Sequence, residues 1–338
     1  MTTKTPIRVA INGFGRIGRM VLRALAESKR TDIQVVAIND LGPLSSNVHL
    51  FKYDSVHGRF SGTVTTTEST MDVGFGPIQI FAEPTPEKLP WGDLKIDLVM
   101  ECSGHFTKRA DAARHLAAGA KRVLVSAPAD GADLTVVYGV NHQDIKADHW
   151  VISNASCTTN CLAPVANVLN QAIGIEYGYM TTIHSYTGDQ RLVDTLHSDL
   201  RRARAACQSM IPSSTGAAKA VGLVLPELKG KLEGTAIRVP TANVSVVDFK
   251  FHAKRNTSIQ EINQAIEQAA GGALLGVLGV VREPLVSIDF NHDPHSSSFD
   301  TTQTQVVCDR FCRVLAWYDN EWGFSNRMCD VASYIGSL

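Results

Sequence analysis

The first half of the chain alternates short apolar runs with helix-like segments. Ile7-Arg-Val-Ala-Ile-Asn12 is a strand-length apolar run, and Arg19-Met-Val-Leu-Arg-Ala-Leu-Ala-Glu27 reads as a helix. Further strands are expected at Ile33-Gln-Val-Val-Ala-Ile38, Asp97-Leu-Val-Met-Glu101, Arg122-Val-Leu-Val-Ser126 and Thr135-Val-Val-Tyr-Gly-Val140. Lys108 to Ala118 reads as a helix ended by Gly119. Phe60 to Phe81 reads as hairpins at a sheet edge. Strands alternating with helices predict a right-handed parallel sheet that takes its ligand at the strand C-termini. The second half differs. His149-Trp-Val-Ile-Ser153 is strand-like and Leu162 to Asn170 helix-like, and alternation puts His184 at the end of the strand Tyr179-Met-Thr-Thr-Ile-His184. Val244 to Phe251, Leu285 to Phe290 and Arg313 to Tyr318 complete the expected strands. Ser258 to Ala270, with Thr257 near its cap, and Ser325 to Ile335 are the expected helices. These strands predict a mostly antiparallel sheet packed by helices.

Composition narrows the class. A chain of 338 residues, 44% hydrophobic, is long enough for two domains. Lys and Arg number 32 against 33 Asp and Glu, a net charge of -1, which argues against a general nucleic-acid or membrane-surface binder. Seven cysteines show neither disulfide nor zinc spacing, so no metal is expected. Free thiols fit a reducing cytoplasm. The start, Met1 to Pro6, lacks the apolar core of a signal peptide, and no apolar run approaches the roughly 20 residues that span a bilayer.

The first strand runs into Gly13-Phe-Gly-Arg-Ile-Gly18 and then the first helix. This is a G-x-G-x-x-G fingerprint in a strand–turn–helix context. Gly13 permits the tight turn, Gly15 lets backbone N–H groups approach a pyrophosphate, and Gly18 lets helix and strand pack closely. Asp40 follows the second strand, where an acid holds ribose hydroxyls and repels a 2′-phosphate, so NAD is expected over NADP. The fold class is therefore α/β: a Rossmann-type parallel-sheet NAD domain plus an α+β catalytic domain with a mostly antiparallel sheet. Ser126 sits at a strand end near the expected nicotinamide riboside, or simply ends the strand. Cys102 and His105 read as structural.

Ser153-Asn-Ala-Ser-Cys-Thr-Thr-Asn-Cys161 lies between a strand and a helix. A cysteine where a helix begins meets unpaired N–H groups and the positive end of the dipole, which favour thiolate. Cys157 is the candidate nucleophile; the competing reading is an inert buried thiol. His184 is the next histidine, and a Cys/His pair with a nicotinamide cofactor suggests thiolate activation and acyl transfer. Cys161 is expected to be a buried helix residue.

Five blocks now stand in order: Ser156-Cys-Thr-Thr-Asn160, His184 to Gln190, Ser214-Thr-Gly-Ala-Ala-Lys219, Arg238-Val-Pro-Thr241 and Trp317 to Gly323. Together with the glycine loop they resemble phosphorylating glyceraldehyde-3-phosphate dehydrogenase over essentially the whole chain. The resemblance implies that Cys157 attacks the aldehyde of glyceraldehyde 3-phosphate, that His184 is the base, and that inorganic phosphate cleaves a thioester to an acyl phosphate. It implies a substrate-phosphate site at Thr187, Arg202 and Arg238, and an attacking-phosphate site at Ser156, Thr158, Thr215 and Gly216. Asn320 would fix the nicotinamide carboxamide, and the backbone of Arg16 and Ile17 would meet the pyrophosphate. It further implies a homotetramer, with the segment from about Ser185 to Cys207 at an interface. The division expected is 1–156 for the NAD-binding domain, 157–319 for the catalytic domain, and a C-terminal helix at 320–338 returning to the first.

For several of these residues a plainer role competes. Arg201, Arg202 and Arg204 make a basic cluster that suits a subunit contact equally well. Thr215 and Gly216 can simply start a helix, and Asn320 can be a turn residue. Asp289-Phe-Asn-His-Asp-Pro-His295 has a flavour of the related erythrose-4-phosphate dehydrogenases, but Ser185-Tyr-Thr187 and Ser214-Thr-Gly216 favour phosphorolysis and the shorter sugar. Pro84-Thr85 stands where a basic residue often lies beside the adenine, and the stretch at Asp194-Thr-Leu196 is altered, which leaves room for some NADP use. A non-catalytic nucleotide-binding protein is the rival from another class, and the complete Cys157/His184 pair argues against it.

Overall fold

The computed structural model describes residues 5–338. They divide into two compact units, residues 5–156 with 325–338, and residues 157–324.

In the first unit, strand β1 (Ile7–Asn12) leads into helix α1 (Arg16–Ser28), then strand β2 (Ile33–Asn39) and helix α2 (Leu44–Lys52). The sheet runs in the order Leu134–Thr135, Val151–Ser153, Arg122–Val125, Leu98–Glu101, β1, β2, Ile78–Phe81, Thr70–Asp72, Thr65–Thr66. Pairing is parallel from Leu134–Thr135 across to Ile78–Phe81. The last two strands add antiparallel at the edge, where hairpins were expected. Parallel strands buried on both faces need near-continuous apolar runs. Ile7, Val9, Ala10 and Ile11 are buried accordingly. Residues 325–338 pack within this unit: Arg30 pairs with Asp330 at 2.6 Å, and Tyr334 meets His142 edge-on at 5.0 Å.

In the second unit, the strands run in the order Ile211–Ser214, Leu232–Val239, Ile175–Ser185, Ser245–Ala253, Phe311–Tyr318, Ser297–Asp300, Leu278–Val281, with Gln305–Val307 also on Phe311–Tyr318. Two contacts are parallel, Ile175–Ser185 with Leu232–Val239 and Leu278–Val281 with Ser297–Asp300; the rest are antiparallel. Helix Cys157–Ala172 lies against strands Ser297–Asp300 and Phe311–Tyr318 and against helices Ala217–Val224 and Ile259–Ala270. Ser258 caps the last of these, its side chain accepting from Glu261 N.

Four local expectations differ. Lys108–Ala118 is two short helices, Arg109–Ala112 and Arg114–Ala117, interrupted at Ala113. Of the strand placed at Thr135–Val140 only Thr135 is in a strand, Leu134–Thr135; Asn141 folds back, its side chain accepting from Val137 N and donating to Thr135 O. Leu285–Phe290 is not a strand, since Ser287–Phe290 is a 3-10 turn in which Asp289 accepts from Val286 N. The final helix begins earlier, at Trp322, because Asp319 accepts from Glu321 N and Trp322 N. Residues 320–324 accordingly stay with the second unit, where Trp322 also stacks on His292 at 3.6 Å.

Candidate active site

The glycine loop follows β1 directly. Gly13 has φ 89°, and a Cβ there would lie 2.5 Å from the Ser103 backbone. A Cβ on Gly18 would lie 2.2 Å from Gly13 O, so both positions exclude a side chain. Gly15 is different: nothing lies within 4 Å of where its Cβ would be. It precedes α1 without a side-chain cap, and no acidic residue sits in the first turn. The positive end of the α1 dipole is therefore unopposed, as a pyrophosphate site requires. Arg16 turns its side chain to Asp54. Ile17, next along α1, is half-buried.

A cleft of about 410 Å³ opens at this end of the sheet, lined by Asn12, Gly13, Gly15, Asn39, Asp40 and Ser103, with Pro84, Pro86 and Phe106 as apolar wall. Cys102 and His105, expected to be structural, line it too. The apolar wall stands where a basic residue was missed, and suits a flat base. Beneath the cleft, Glu101 is 1% exposed. It accepts from Asn12 Nδ2 (2.6 Å), Ser103 N (2.8 Å), the Ser103 hydroxyl, and His115 Nε2 (2.9 Å). Trp91 Nε1 donates to His115 Nδ1 at 3.1 Å, which leaves the imidazole proton on Nε2, facing the carboxylate. Asn39 continues the chain, donating to Asn12 Oδ1 and to Glu83 O and accepting from Glu83 N. Ser126 lies past the end of strand Arg122–Val125, its N–H donating to Glu101 O. These groups fit a dinucleotide.

In the second unit, helix Cys157–Ala172 begins at Cys157 itself. Just before it, Ala155 takes φ 55°, a left-handed conformation that turns the chain out of strand Val151–Ser153. Cys157 is half-buried, and its Sγ lies 3.6 Å from His184 Nε2. Burial pushes the thiol up; Arg238 and a bond from Thr158 pull it down without reversing this. Burial therefore works against the thiolate that the helix start favours. Cys161 is buried among Ser297 and Ala316, with its thiol pushed up to about 12.

His184 is the next-to-last residue of strand Ile175–Ser185, beside Arg238 of strand Leu232–Val239 in the parallel register. Its Nδ1 has two neighbours, Arg238 Nη1 at 2.6 Å and Ser185 O at 2.7 Å. A guanidinium only donates and a carbonyl only accepts, so one tautomer satisfies one of them. With Nδ1 bare, Arg238 donates to it and Nε2–H faces Cys157. With Nδ1 protonated, it donates to Ser185 O and leaves Nε2 able to accept the thiol proton. Burial and the Arg238 charge draw the imidazole down to about 3, so it is neutral throughout the physiological range.

Tyr318 was not singled out from sequence, although the block that contains it was. Its ring meets His184 edge-on at 5.8 Å, and its hydroxyl bonds Thr158 Oγ1 and Thr182 Oγ1, each at 2.8 Å. Nothing in one sequence ties a strand-end tyrosine to a histidine 134 positions away. Asn320 Oδ1 accepts from Ser185 Oγ and Ser245 Oγ, both at 2.9 Å, which fixes the amide with its NH2 turned the other way. Of the expected phosphate groups, Arg238 stands at the Cys157/His184 pair. Arg202 is paired with Asp189 at 2.6 Å, the Thr187 N–H donates to Gln190 Oε1, and Thr215 accepts from Ala217 N. Gly216 is the cap residue of helix Ala217–Val224, and Ser156 directly precedes Cys157. Thr158 is buried with its hydroxyl on Tyr318. No group of three or more metal-ligating side chains occurs among the described residues.

Residues 7–109 match the family model "Glyceraldehyde 3-phosphate dehydrogenase, NAD binding domain", and residues 156–320 match the C-terminal domain of the same enzyme. A glyceraldehyde-3-phosphate dehydrogenase of Xanthobacter flavus is 67% identical over 98% of this chain and 99% of its own. Those of Cereibacter sphaeroides (65%, over 98% and 99%) and Geobacillus stearothermophilus (54%, over 98% and 98%) are similar along the same span.

Proposed function

Since the chain belongs to the glyceraldehyde-3-phosphate dehydrogenase family, with NAD as its cofactor, we propose that Cys157 and His184 carry its oxidation of glyceraldehyde 3-phosphate. The observation that carries this reading is the 3.6 Å approach of Cys157 Sγ to His184 Nε2 beside a guanidinium. The Nδ1–H tautomer, held by Ser185 O, is the working one. In it, Nε2 takes the thiol proton as sulfur attacks the aldehyde carbon and the carbonyl pair moves to oxygen. The Cys157 N–H and the newly protonated Nε2 stabilise that oxygen, which receives the proton to give a thiohemiacetal. Nε2 then takes the hydroxyl proton as the C–H hydrogen leaves with its electron pair. Bound NAD supplies the acceptor for that hydride. A phosphate oxygen attacks the resulting thioester, the C–S bond breaks, and the acyl phosphate leaves Cys157 as thiolate.

Arg238 has a second part in this proposal. A phosphate at the guanidinium competes with Nδ1 for Nη1. Drawing Arg238 off Nδ1 favours the base-competent tautomer, so substrate arrival and base activation are linked. Thr187 and Arg202 join Arg238 at the substrate phosphate, Arg202 by exchanging Asp189 for the ligand. Ser156, Thr158, Thr215 and Gly216 serve the attacking phosphate. Gly13, Gly15, Gly18, the Arg16 and Ile17 backbone, Asp40, Ser126 and Asn320 serve NAD; the outward NH2 of Asn320 suits a carboxamide oxygen.

The enzyme works as a homotetramer in the cytoplasm on this reading. Support for assembly lies in the exposed Leu192, Val193, Leu196, Leu200 and Met210 of one segment, since lone chains seldom expose so many large apolar residues together. No helix among the described residues is long and apolar enough to cross a membrane. The deciding assay is NADH formation from glyceraldehyde 3-phosphate and from erythrose 4-phosphate, each with and without inorganic phosphate. Phosphate-dependent NADH from the shorter sugar is expected; phosphate-independent turnover, or preference for the longer sugar, overturns the phosphorylating reading.

A further inference from the structure

Asp40 carries the choice between NAD and its 2′-phosphorylated form, and its carboxylate is not free to turn. Oδ2 accepts from Phe14 N at 2.8 Å. Oδ1 accepts from Gly42 N at 2.9 Å and from Asn47 Nδ2 at 3.0 Å. The Gly42 bond is local, two residues along. The Asn47 bond reaches back from the middle of α2. Asn47 is only 9% exposed, and its Nδ2 also lies 3.5 Å from Gly42 O. Asp40 and Leu41 line the cofactor cleft, whereas Asn47 stands behind Asp40.

A carboxylate oxygen accepts about two hydrogen bonds. Gly42 and Asn47 fill Oδ1; Phe14 takes half of Oδ2. One acceptor position then remains, on Oδ2, in one orientation. We propose that Asn47 is a positioning residue for cofactor selection: its amide locks Asp40 so that Oδ2 alone meets the adenosine ribose and the charge cannot swing away from a 2′-phosphate. Removing the amide frees the carboxylate to rotate and releases its grip on the Gly42 turn. NAD then loses a preset acceptor, and NADP loses part of the repulsion that rejects it. The inference rests on Asp40 as the ribose acceptor.

The test is kcat and KM for NAD and for NADP in the full-length enzyme and in Asn47→Leu, Asn47→Ala, Asp40→Ala and the Asp40→Ala/Asn47→Leu double variant. Loss of one hydrogen bond to a charged group predicts a roughly tenfold rise in KM for NAD in the Asn47 variants. The KM for NADP should fall, and kcat with NAD should hold. In the double variant the Asn47→Leu effect should vanish, because it acts only through Asp40. A variant that merely loosens α2 loses thermal stability and NAD affinity but gains nothing with NADP. Unchanged selectivity in both Asn47 variants, or effects that simply multiply in the double variant, overturns the inference. If Asp40→Ala alone leaves both KM values unchanged, the ribose reading itself falls, and the inference falls with it.

Discussion

Burial works against charge on both His184 and Cys157, drawing the imidazole down to about 3 and pushing the thiol up. On the proposed mechanism only one proton passes between them. Cys157→Ser should abolish turnover while NAD still binds, seen by steady-state assay and calorimetry. His184→Asn should lower kcat by roughly 10²–10⁴-fold and slow alkylation of Cys157 at neutral pH. Equal alkylation rates would mean that another group activates the thiol. A pH effect on folding follows as well. The unfolded imidazole titrates near 6.5 but the folded one near 3, so the unfolded state binds the extra proton between those values. Stability from this group is complete above about pH 6.5 and is lost as pH falls, at up to about 1.4 kcal/mol per unit. His184→Gln should flatten that slope in urea titrations between about pH 4 and 6. The sequence made Cys157 and His184 readable because each ends or starts an element. It did not make Tyr318 or the Nδ1 contact readable, since both depend on which strands lie side by side.

Among the elements, the glycine loop was the most legible, because its three glycines meet different surroundings: backbone crowds Gly13 and Gly18, while open space faces Gly15. Gly18→Ala drives a methyl into Gly13 O and should destabilise the fold by several kcal/mol, measured as a lowered denaturation midpoint. Gly15→Ala meets nothing within 4 Å and has no positive φ, so its thermal midpoint should stay near wild type. On the proposed cofactor site its methyl stands in the pyrophosphate path, so the KM for NAD should rise at least tenfold; an unchanged KM would place the pyrophosphate elsewhere. Strand ends were less legible where side chains competed with the backbone. Asn141 and Asp289 each satisfy nearby N–H groups and pull apolar runs out of extended conformation. Periodicity carries no trace of that competition.

At the scale of the molecule, the split into a parallel and a mostly antiparallel sheet was legible because the two leave different patterns: continuous apolar runs in one half and alternation in the other. The exposure that supports the proposed assembly is not legible from the pattern, since an exposed apolar residue looks like any other until the fold is known. Leu196 is 93% exposed. If the proposed tetramer forms through this segment, Leu196→Asp should lower the mass seen by sedimentation at micromolar concentration; an unchanged mass would remove the segment from the proposed interface.

The floor beneath the cofactor cleft has a consequence for descent. Trp91, His115, Glu101, Asn12 and Asn39 form one continuous hydrogen-bonded line, each member 5% exposed or less. Changing one strands its neighbours, at about 1–3 kcal/mol for each orphaned group. Relatives that depart from this arrangement are therefore expected to have replaced several of the five together, so that the floor is inherited as a single character.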